Sequence, residues 1–148
     1  MIMLTREQQK QQIYLNIARE ISTLSRGKRA QVGCIIVKDD RILSCGYNGT
    51  PSGFDNNCED ENGNTKPEVI HAEANAILKA RNRDDLVGAD LYLTLSPCFH
   101  CSKLIKQAGI RHVYFTELYK DNAEGLKVLG IPSTQINPNG ISTYRERI

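Results

Sequence analysis

The sequence predicts an α/β sandwich in which helices flank a single sheet. Three observations lead to this prediction. An amphipathic helical pattern opens the chain, two short apolar runs then meet at a pair of aspartates, and the second half alternates apolar runs with helical patterns. Because strands that alternate with helices usually pair in parallel, we expect parallel pairing in the second half of the sheet.

Length and composition predict one domain spanning residues 1–148. The net charge of +2 is too small to argue for a nucleic-acid partner. No apolar run approaches the ~18 residues of a membrane span, and the N-terminus lacks the pattern of a signal peptide. The five cysteines do not have the pattern of a disulfide framework, so we expect a reducing, cytoplasmic compartment.

The first predicted element is a helix that begins after Thr5. Thr5 and Gln8 have the spacing of a capping box, in which each side chain bonds to the backbone of the other residue. The apolar stripe expected to cover the sheet consists of Ile13, Ile17, Ile21 and Leu24. Residues 25–29 then break the helical pattern with three positive charges. A solvated loop is the simplest interpretation, and a phosphate contact is the alternative.

Two strands, residues 32–37 and 41–47, are predicted to form a hairpin around Asp39 and Asp40. The first strand is almost continuously apolar, which favours a central place in the sheet. Cys34 and Cys45 lie within these strands and are predicted to be small buried hydrophobic residues.

A long polar region separates this hairpin from the second half of the chain. Residues 48–53 are turn formers, and residues 54–68 are polar and acidic without periodicity. A plain surface loop is one interpretation. The alternative is a ligand-binding loop, since Asn48 and Thr50 offer donors and acceptors and glycines allow close approach. A loop of this length is usually functional or mobile.

The second half is predicted to alternate helices and strands. Helices are expected at residues 71–82, 98–108 and 122–129, and strands at residues 89–95, 112–116 and 131–136. The tail to residue 148 has no interpretable pattern. The strand–helix connections should place the starts of the first two of these helices on one edge of the sheet, where such folds bind ligands.

His71, Cys98 and Cys101 form a predicted set of three zinc ligands. Three protein ligands leave the fourth tetrahedral position open for water, which marks a catalytic site. Two thiolates neutralise the dication, so the metal acidifies this water less strongly and a nearby base is needed. Glu73 is the predicted base and proton carrier. His-x-Glu followed by Pro-Cys-x-x-Cys is the signature of zinc-dependent nucleobase deaminases.

Two other interpretations fit parts of this pattern. Cys-x-x-Cys between a strand and a helix also occurs as a redox pair, but His71 and Glu73 have no role in that chemistry. A structural zinc site would need a fourth ligand, which Cys58 or His100 could supply. For His100, a solvent-facing side chain is the simpler expectation.

The sequence resembles the deoxycytidylate (dCMP) deaminases of the cytidine-deaminase-like superfamily over residues 17–131. The resemblance rests on Gln31-Val32-Gly33, Gly46-Tyr47-Asn48-Gly49-Thr50-Pro51-Ser52-Gly53, His71-Ala72-Glu73-Ala74-Asn75-Ala76-Ile77, Ser96-Pro97-Cys98-Phe99-His100-Cys101 and Ala108-Gly109-Ile110. The superfamily shares the metal motif, whereas the stretch at residues 46–53 looks like this family in particular.

This resemblance implies a five-stranded mixed sheet flanked by helices in a three-layer sandwich, one catalytic Zn²⁺, and conversion of dCMP to dUMP with release of ammonia. It also implies substrate contacts at Asn48 and Tyr119, with the Ala72 amide and the Ser96 carbonyl as partners of the base. Members are commonly homo-oligomers, often hexamers, and many respond to dCTP and dTTP with Mg²⁺. At residues 25–30 this chain departs from the family pattern, and in this segment Arg26 is the residue expected to make a phosphate or effector contact.

Three related activities are the alternatives. A tRNA adenosine deaminase would be expected to have a basic face and a short approach to His71-Ala72-Glu73, whereas this chain has a long acidic one. A deaminase of free cytidine or cytosine would need no phosphate site. A non-catalytic binding module would be expected to lack Glu73.

Overall fold

The structure, a computed structural model, describes residues 3–136 and the backbone of residues 144–147. The elements in chain order are α1 (Arg6–Ser22), β1 (Gly33–Lys38), β2 (Arg41–Tyr47), α2 (Ala72–Lys79), a 3₁₀ turn (Arg83–Leu86), β3 (Asp90–Leu95), α3 (Phe99–Ala108), β4 (His112–Glu117), α4 (Glu124–Val128), β5 (Ser133–Ile136) and β6 (Tyr144–Arg147). Each helix and strand predicted from the sequence is present, with ends that differ by a few residues.

The strands form one mixed sheet in the order β2-β1-β3-β4-β5-β6. β1 pairs antiparallel with both β2 and β3, and β3, β4 and β5 pair in parallel. The predicted five-stranded α/β sheet with parallel pairing in its second half is therefore confirmed. The tail adds β6, which pairs antiparallel with β5 at the sheet edge and which no sequence pattern predicted.

Helices cover both faces of this sheet, as expected of a three-layer sandwich. Alternate residues of the central strands point to opposite faces, so Ile36 and Leu91 pack with α2 and α3, whereas Ile35 and Tyr92 pack with α1. Among the described residues, no helix has the length and apolar character needed to cross a membrane.

Helix α1 begins as predicted but buries a different face. Thr5 Oγ1 accepts a hydrogen bond from the Gln8 amide at 3.1 Å and the Thr5 amide donates to Gln8 Oε1 at 2.9 Å, which confirms the capping box. The predicted apolar stripe is wrong at its ends, because Ile13 and Leu24 are 56% and 58% exposed. The buried face instead centres on Ala18, whose backbone lies so close to Gly33 that a Cβ there would overlap it. Small residues thus set the rotation of the helix.

The β1–β2 hairpin forms at the predicted aspartates. Asp39 and Asp40 have φ angles of +52° and +60°, the conformation of a tight turn that suits the twist of a hairpin. Cys34 is buried as predicted, but the prediction for Cys45 is wrong, since its side chain is exposed. β2 is an edge strand, and the Ser44 side chain contacts α2. Because successive side chains of a strand point to opposite faces of the sheet, Cys45 lies on the face away from α2.

Candidate active site

The first turn of α2 positions His71 and Glu73. His71 is the N-cap residue, with extended backbone, and the helix begins at Ala72. Glu73 therefore lies in the first turn, where its side chain points inward and is only 3% exposed. A carboxylate in this place is favoured by the positive end of the helix dipole.

Helix α2 is attached closely to β2. A Cβ on Gly46 would lie 2.5 Å from the Ala72 carbonyl oxygen and from the Ala76 amide, so a glycine is required for this contact. Ser44 Oγ donates to the Ala76 carbonyl at 2.6 Å, and Asn75 Nδ2 donates to the Tyr47 carbonyl at 2.9 Å. These contacts fix the position of the helix start and of the two functional side chains on it.

The start of α3 positions the two cysteines. Cys98 is the N-cap residue, and its sulfur accepts a hydrogen bond from the Cys101 amide at 3.5 Å. Ser102 Oγ donates to the Cys98 carbonyl at 2.9 Å and thereby stabilises the same turn. The start of a helix favours thiolates, because its free amides and dipole stabilise negative charge.

The two helix starts meet, as the topology predicted, and bring three ligand atoms together. His71 Nδ1 lies 3.5 Å from Cys98 Sγ and 3.3 Å from Cys101 Sγ, and the three ligand atoms all lie within 4.8 Å of one another. Ligands around a tetrahedral zinc with ordinary bond lengths lie about 3.6 Å apart. One imidazole and two thiols at this spacing therefore fit Zn²⁺.

Neither candidate for a fourth ligand belongs to the cluster. Among the described residues, the group that could hold a metal consists of His71, Cys98 and Cys101. Cys58 is buried elsewhere, with its sulfur 3.8 Å from the Asn56 carbonyl, and His100 is exposed as expected. A three-ligand set favours the catalytic type of zinc site over the structural type.

Burial and proximity shift the pKa values of these groups. Burial raises the pKa of Glu73 to about 7. A hydrogen bond with Cys101 lowers the pKa of the Cys98 thiol to about 3, and the same contact raises the pKa of Cys101. A hydrogen bond with Cys98 raises the pKa of His71. Because cysteine binds zinc as the thiolate, binding of the cation would displace the thiol protons.

A cavity of about 110 Å³ opens beside the cluster, and we call it the inner cavity. It is lined by Ala30, Val32, Asn48, Thr65, His71, Ala72, Glu73, Leu95, Ser96, Cys98 and Tyr119. Four of the residues predicted to bind substrate are thus in its wall, namely Asn48, Ala72, Ser96 and Tyr119.

The other two predicted substrate residues lie outside that wall. Thr50 Oγ1 donates to the Asp55 carbonyl at 2.7 Å and so stabilises its own loop. Arg26 is exposed in the basic segment that follows α1.

Two polar side chains of the inner cavity also hold the backbone around it. Asn48 Oδ1 accepts from the Val32 amide at 2.8 Å, and its Nδ2 donates to the Ala30 carbonyl at 2.9 Å. Ser96 Oγ accepts from the Tyr119 amide at 2.7 Å. These side chains therefore shape the cavity as well as facing it.

Sequence reasoning missed four residues of the cavity wall. Val32 lies just before β1 and Leu95 ends β3, where apolar residues are expected for the sheet. The other two are Ala30 and Thr65. Both lie in segments without periodicity, and neither residue type is typical of a site, so no signal in the sequence could have identified them. Their places depend on how two loops fold over the sheet edge.

An α/β sheet whose edge unites one imidazole, two thiols and a buried glutamate defines the class of zinc-dependent deaminases. Residues 8–117 match a protein family that is described as the cytidine and deoxycytidylate deaminase zinc-binding region. The chain belongs to this family.

Within this family, the chain is similar to individual deoxycytidylate deaminases. The chain is 38% identical over 116 residues to a deoxycytidylate deaminase of Mycobacterium phage D29, an alignment covering 69% of this chain and 90% of that protein. It is 38% identical over 109 residues to the human deoxycytidylate deaminase, covering 68% of this chain and 61% of the human protein. A solved dCMP deaminase of cyanophage S-TIM5, in complex with dCMP and dUMP, has a TM-score of 0.81 and 40% identity. That similarity covers 90% of this chain and all of the cyanophage chain.

Proposed function

We propose that this chain, as a single deaminase domain, catalyses the hydrolytic deamination of dCMP to dUMP and ammonia, a step of pyrimidine deoxynucleotide metabolism. The observation that carries the proposal is the meeting of His71, Glu73 and Cys98 in the wall of one cavity, with Cys101 beside them. The similarity to a cyanophage enzyme solved with dCMP and dUMP supports this choice of substrate.

His71, Cys98 and Cys101 are proposed to hold the zinc. Their donor set suits this metal, and their spacing of 3.3 and 3.5 Å from the imidazole nitrogen to each sulfur supports the assignment. When bound, zinc supplies a Lewis acid that makes water a nucleophile near neutral pH.

Glu73 is proposed to carry the protons of the reaction. Its carboxylate accepts a proton from the attacking water and delivers it to N3 of cytosine, which makes C4 electrophilic. After water has added at C4, Glu73 takes the remaining proton from the new C4 hydroxyl and delivers it to the amino group. The C4–N bond then breaks, ammonia leaves, and uracil remains. A pKa raised to about 7 by burial suits both steps, because such a group accepts and donates protons with similar ease at neutral pH.

The remaining wall of the inner cavity is proposed to bind the nucleotide. The Ala72 amide and the Ser96 carbonyl would bond to the base, with Asn48, Thr50 and Tyr119 near the sugar. Arg26, with its neighbours Lys28 and Arg29, is proposed to attract the 5′-phosphate. All three cations are exposed in the structure, which leaves them accessible to a ligand.

Assembly, regulation and compartment are separate proposals. Exposed apolar side chains such as Leu78, which is 74% exposed, and Val128, which is 61% exposed, support a homo-oligomer, for which a hexamer is the proposed form. Activation by dCTP and inhibition by dTTP, with Mg²⁺ accompanying the nucleotide, rest on the family resemblance. The structure describes all five cysteines, and each is a free thiol, which supports a cytoplasmic compartment.

A substrate panel tests the proposed function. Ammonia release is measured at steady state from dCMP, CMP, deoxycytidine, cytosine and a tRNA with adenosine in its anticodon. We expect dCMP to be preferred over deoxycytidine by about 10- to 100-fold in kcat/KM, the value of one charge-assisted phosphate contact. Equal kcat/KM on dCMP and deoxycytidine would contradict the proposed phosphate contact. Formation of inosine in the tRNA would contradict the proposed deamination of dCMP as the activity of this chain.

A further inference from the structure

Glu59 joins two loops that are far apart in sequence. We call residues 25–31 the basic loop and residues 54–68 the polar loop. Glu59 Oε2, in the polar loop, accepts hydrogen bonds from the backbone amides of Lys28 at 2.9 Å and Arg29 at 3.2 Å. Its second oxygen, Oε1, is buried and has no hydrogen-bond partner among the described residues. Hydrogen bonds to a carboxylate are about twice as strong as those between neutral groups, so this contact holds the basic loop firmly.

Other contacts hold the ends of the basic loop, and within the loop the Gly27 amide donates to Ser25 Oγ at 3.1 Å. Ser25 Oγ donates to the Asn48 carbonyl at 2.8 Å, and Asn48 also holds Ala30 through its side-chain amide at 2.9 Å. Lys28 and Arg29 lie between these anchors. In the part of the chain that the structure describes, their hydrogen bonds to another segment are those to Glu59. The position of the two cationic residues therefore depends on this carboxylate.

The polar loop is itself well anchored at Glu59. Cys58 is 1% exposed, and its carbonyl accepts a hydrogen bond from the Lys66 amide at 2.8 Å. A β-bridge pairs Glu59 with Thr65. Because the backbone on both sides of the Glu59 side chain is fixed, the carboxylate provides a rigid attachment point for the basic loop.

The joined loops contribute residues to two cavities. Ala30 and Thr65 line the inner cavity beside the metal cluster. Their neighbours Arg29 and Lys66 line an outer cavity of about 670 Å³, which also contains Lys28 and Glu59. A contact that fixes the basic loop thus also fixes the distance between its cationic side chains and the catalytic end of the site.

We propose that Glu59 is a positioning residue that holds the cations of the basic loop in place for the phosphate of the substrate. This inference rests on the proposed function, since it assumes that the substrate is a nucleoside monophosphate. Glu59 is negative and would by its charge alone repel a phosphate. Its removal therefore has opposite effects on dCMP binding in the two cases: weaker binding if Glu59 positions the loop, and stronger binding if it acts only as a charge.

The experiment compares E59A, E59Q and E61A with the wild-type protein on dCMP and deoxycytidine. E59A removes the acceptor of both amides, whereas E59Q removes the charge but keeps an acceptor oxygen. E61A is the matched control, because Glu61 lines the outer cavity and shows no hydrogen bond to the basic loop in the described structure. Zinc content and the midpoint of thermal unfolding are measured for each protein.

For E59A we expect KM for dCMP to rise about 10-fold with kcat changed less than about twofold, the loss of one phosphate contact. Efficiency on deoxycytidine should stay the same, because this substrate lacks the phosphate. Neither E59Q nor E61A should show this rise in KM, because E59Q keeps an acceptor oxygen for the two amides and Glu61 makes no hydrogen bond to the basic loop in the described structure. Should E59A fail to fold, E59D, whose carboxylate is one methylene shorter, should show the same selective rise in KM.

Three outcomes would overturn the inference: wild-type KM for dCMP in E59A and E59D, equal losses on dCMP and deoxycytidine, or identical behaviour of E59A and E61A. These outcomes presuppose that the wild-type protein deaminates dCMP. A wild-type protein inactive on dCMP would instead contradict the proposed function, so the two failures are distinguishable.

Discussion

The metal end and the loop end of the inner cavity are built in different ways. At the metal end, the starts of α2 and α3 hold His71, Glu73, Cys98 and Cys101, each within a turn of the end of its helix. At the loop end, Ala30 and Thr65 come from segments without helices or strands. Side chains such as Asn48 and Glu59 hold those segments through hydrogen bonds to the backbone.

This difference indicates a division of tasks. The groups proposed to carry the chemistry are placed by regular elements, whose backbone is already satisfied and rigid, and such elements give more precise sites than loops do. The groups proposed to face the rest of the substrate lie on loops, where a few hydrogen bonds can adjust their position. Changes at the metal end should therefore abolish turnover, whereas changes at the loop end should alter substrate preference.

The largest effect is expected from removal of a metal ligand. Cys98→Ala and Cys101→Ala each leave two ligands, so the purified variants should lose the single equivalent of zinc expected in the wild type and their activity with it. Metal analysis and ammonia release measure the two effects. Cys45→Ala removes an exposed thiol outside the cluster and should change neither. Full zinc and full activity in both ligand variants would contradict the site.

Glu73→Gln should have the next largest effect. Glutamine keeps the shape and an acceptor oxygen but cannot carry a proton, so kcat should fall at least ~100-fold while zinc stays bound. Steady-state turnover and metal content are measured on the same preparation. Retained turnover would assign the proton transfers to another residue.

A pair of glycine substitutions compares the two ends directly. Gly46→Ala places a Cβ 2.5 Å from backbone atoms of Ala72 and Ala76, so the free energy of unfolding should fall by about 1–3 kcal/mol. Gly49→Ala, in the loop that begins after β2, meets no atom within 4 Å and should change the free energy of unfolding little. Denaturant unfolding measures both. Equal effects would show that the contact between β2 and α2 is not as tight as described.

The smallest predicted effect concerns the opposite end of the sheet, at His112. Burial lowers the pKa of His112 to about 4, and its ring stacks on Tyr114 and lies 2.8 Å from Thr134 Oγ1. The unfolded chain, with a pKa of about 6.5, binds a proton more readily. The stabilisation is therefore complete above about pH 6.5 and is lost as the pH falls towards 4.

Denaturant unfolding between about pH 7 and pH 4 tests this prediction by comparing the wild type with His112→Gln. The wild type should lose about 1–2 kcal/mol more than the variant over this interval, because glutamine keeps the hydrogen bond but does not titrate. Other acidic groups titrate in both proteins and cancel in the difference. If the free energy of unfolding fell equally with pH in the two proteins, the lowered pKa of His112 would be contradicted.

The sequence by itself determined the order of the elements and the chemistry of the metal end. Local signals were sufficient there: the capping box at Thr5 and Gln8 starts α1, paired aspartates turn the hairpin, and both metal motifs coincide with helix starts. Each of these features depends on residues a few positions apart, so a pattern in the sequence can reveal them.

Tertiary structure decided the features that depend on contacts between distant segments. The close approach of Ala18 to Gly33 rotates α1 and leaves Ile13 exposed, which the apolar pattern alone could not show. The wall of the inner cavity forms where the basic and polar loops meet, through a contact between Glu59 and a backbone amide 31 residues earlier. No local periodicity records such a pairing, because a loop backbone takes the shape that its distant partners impose on it.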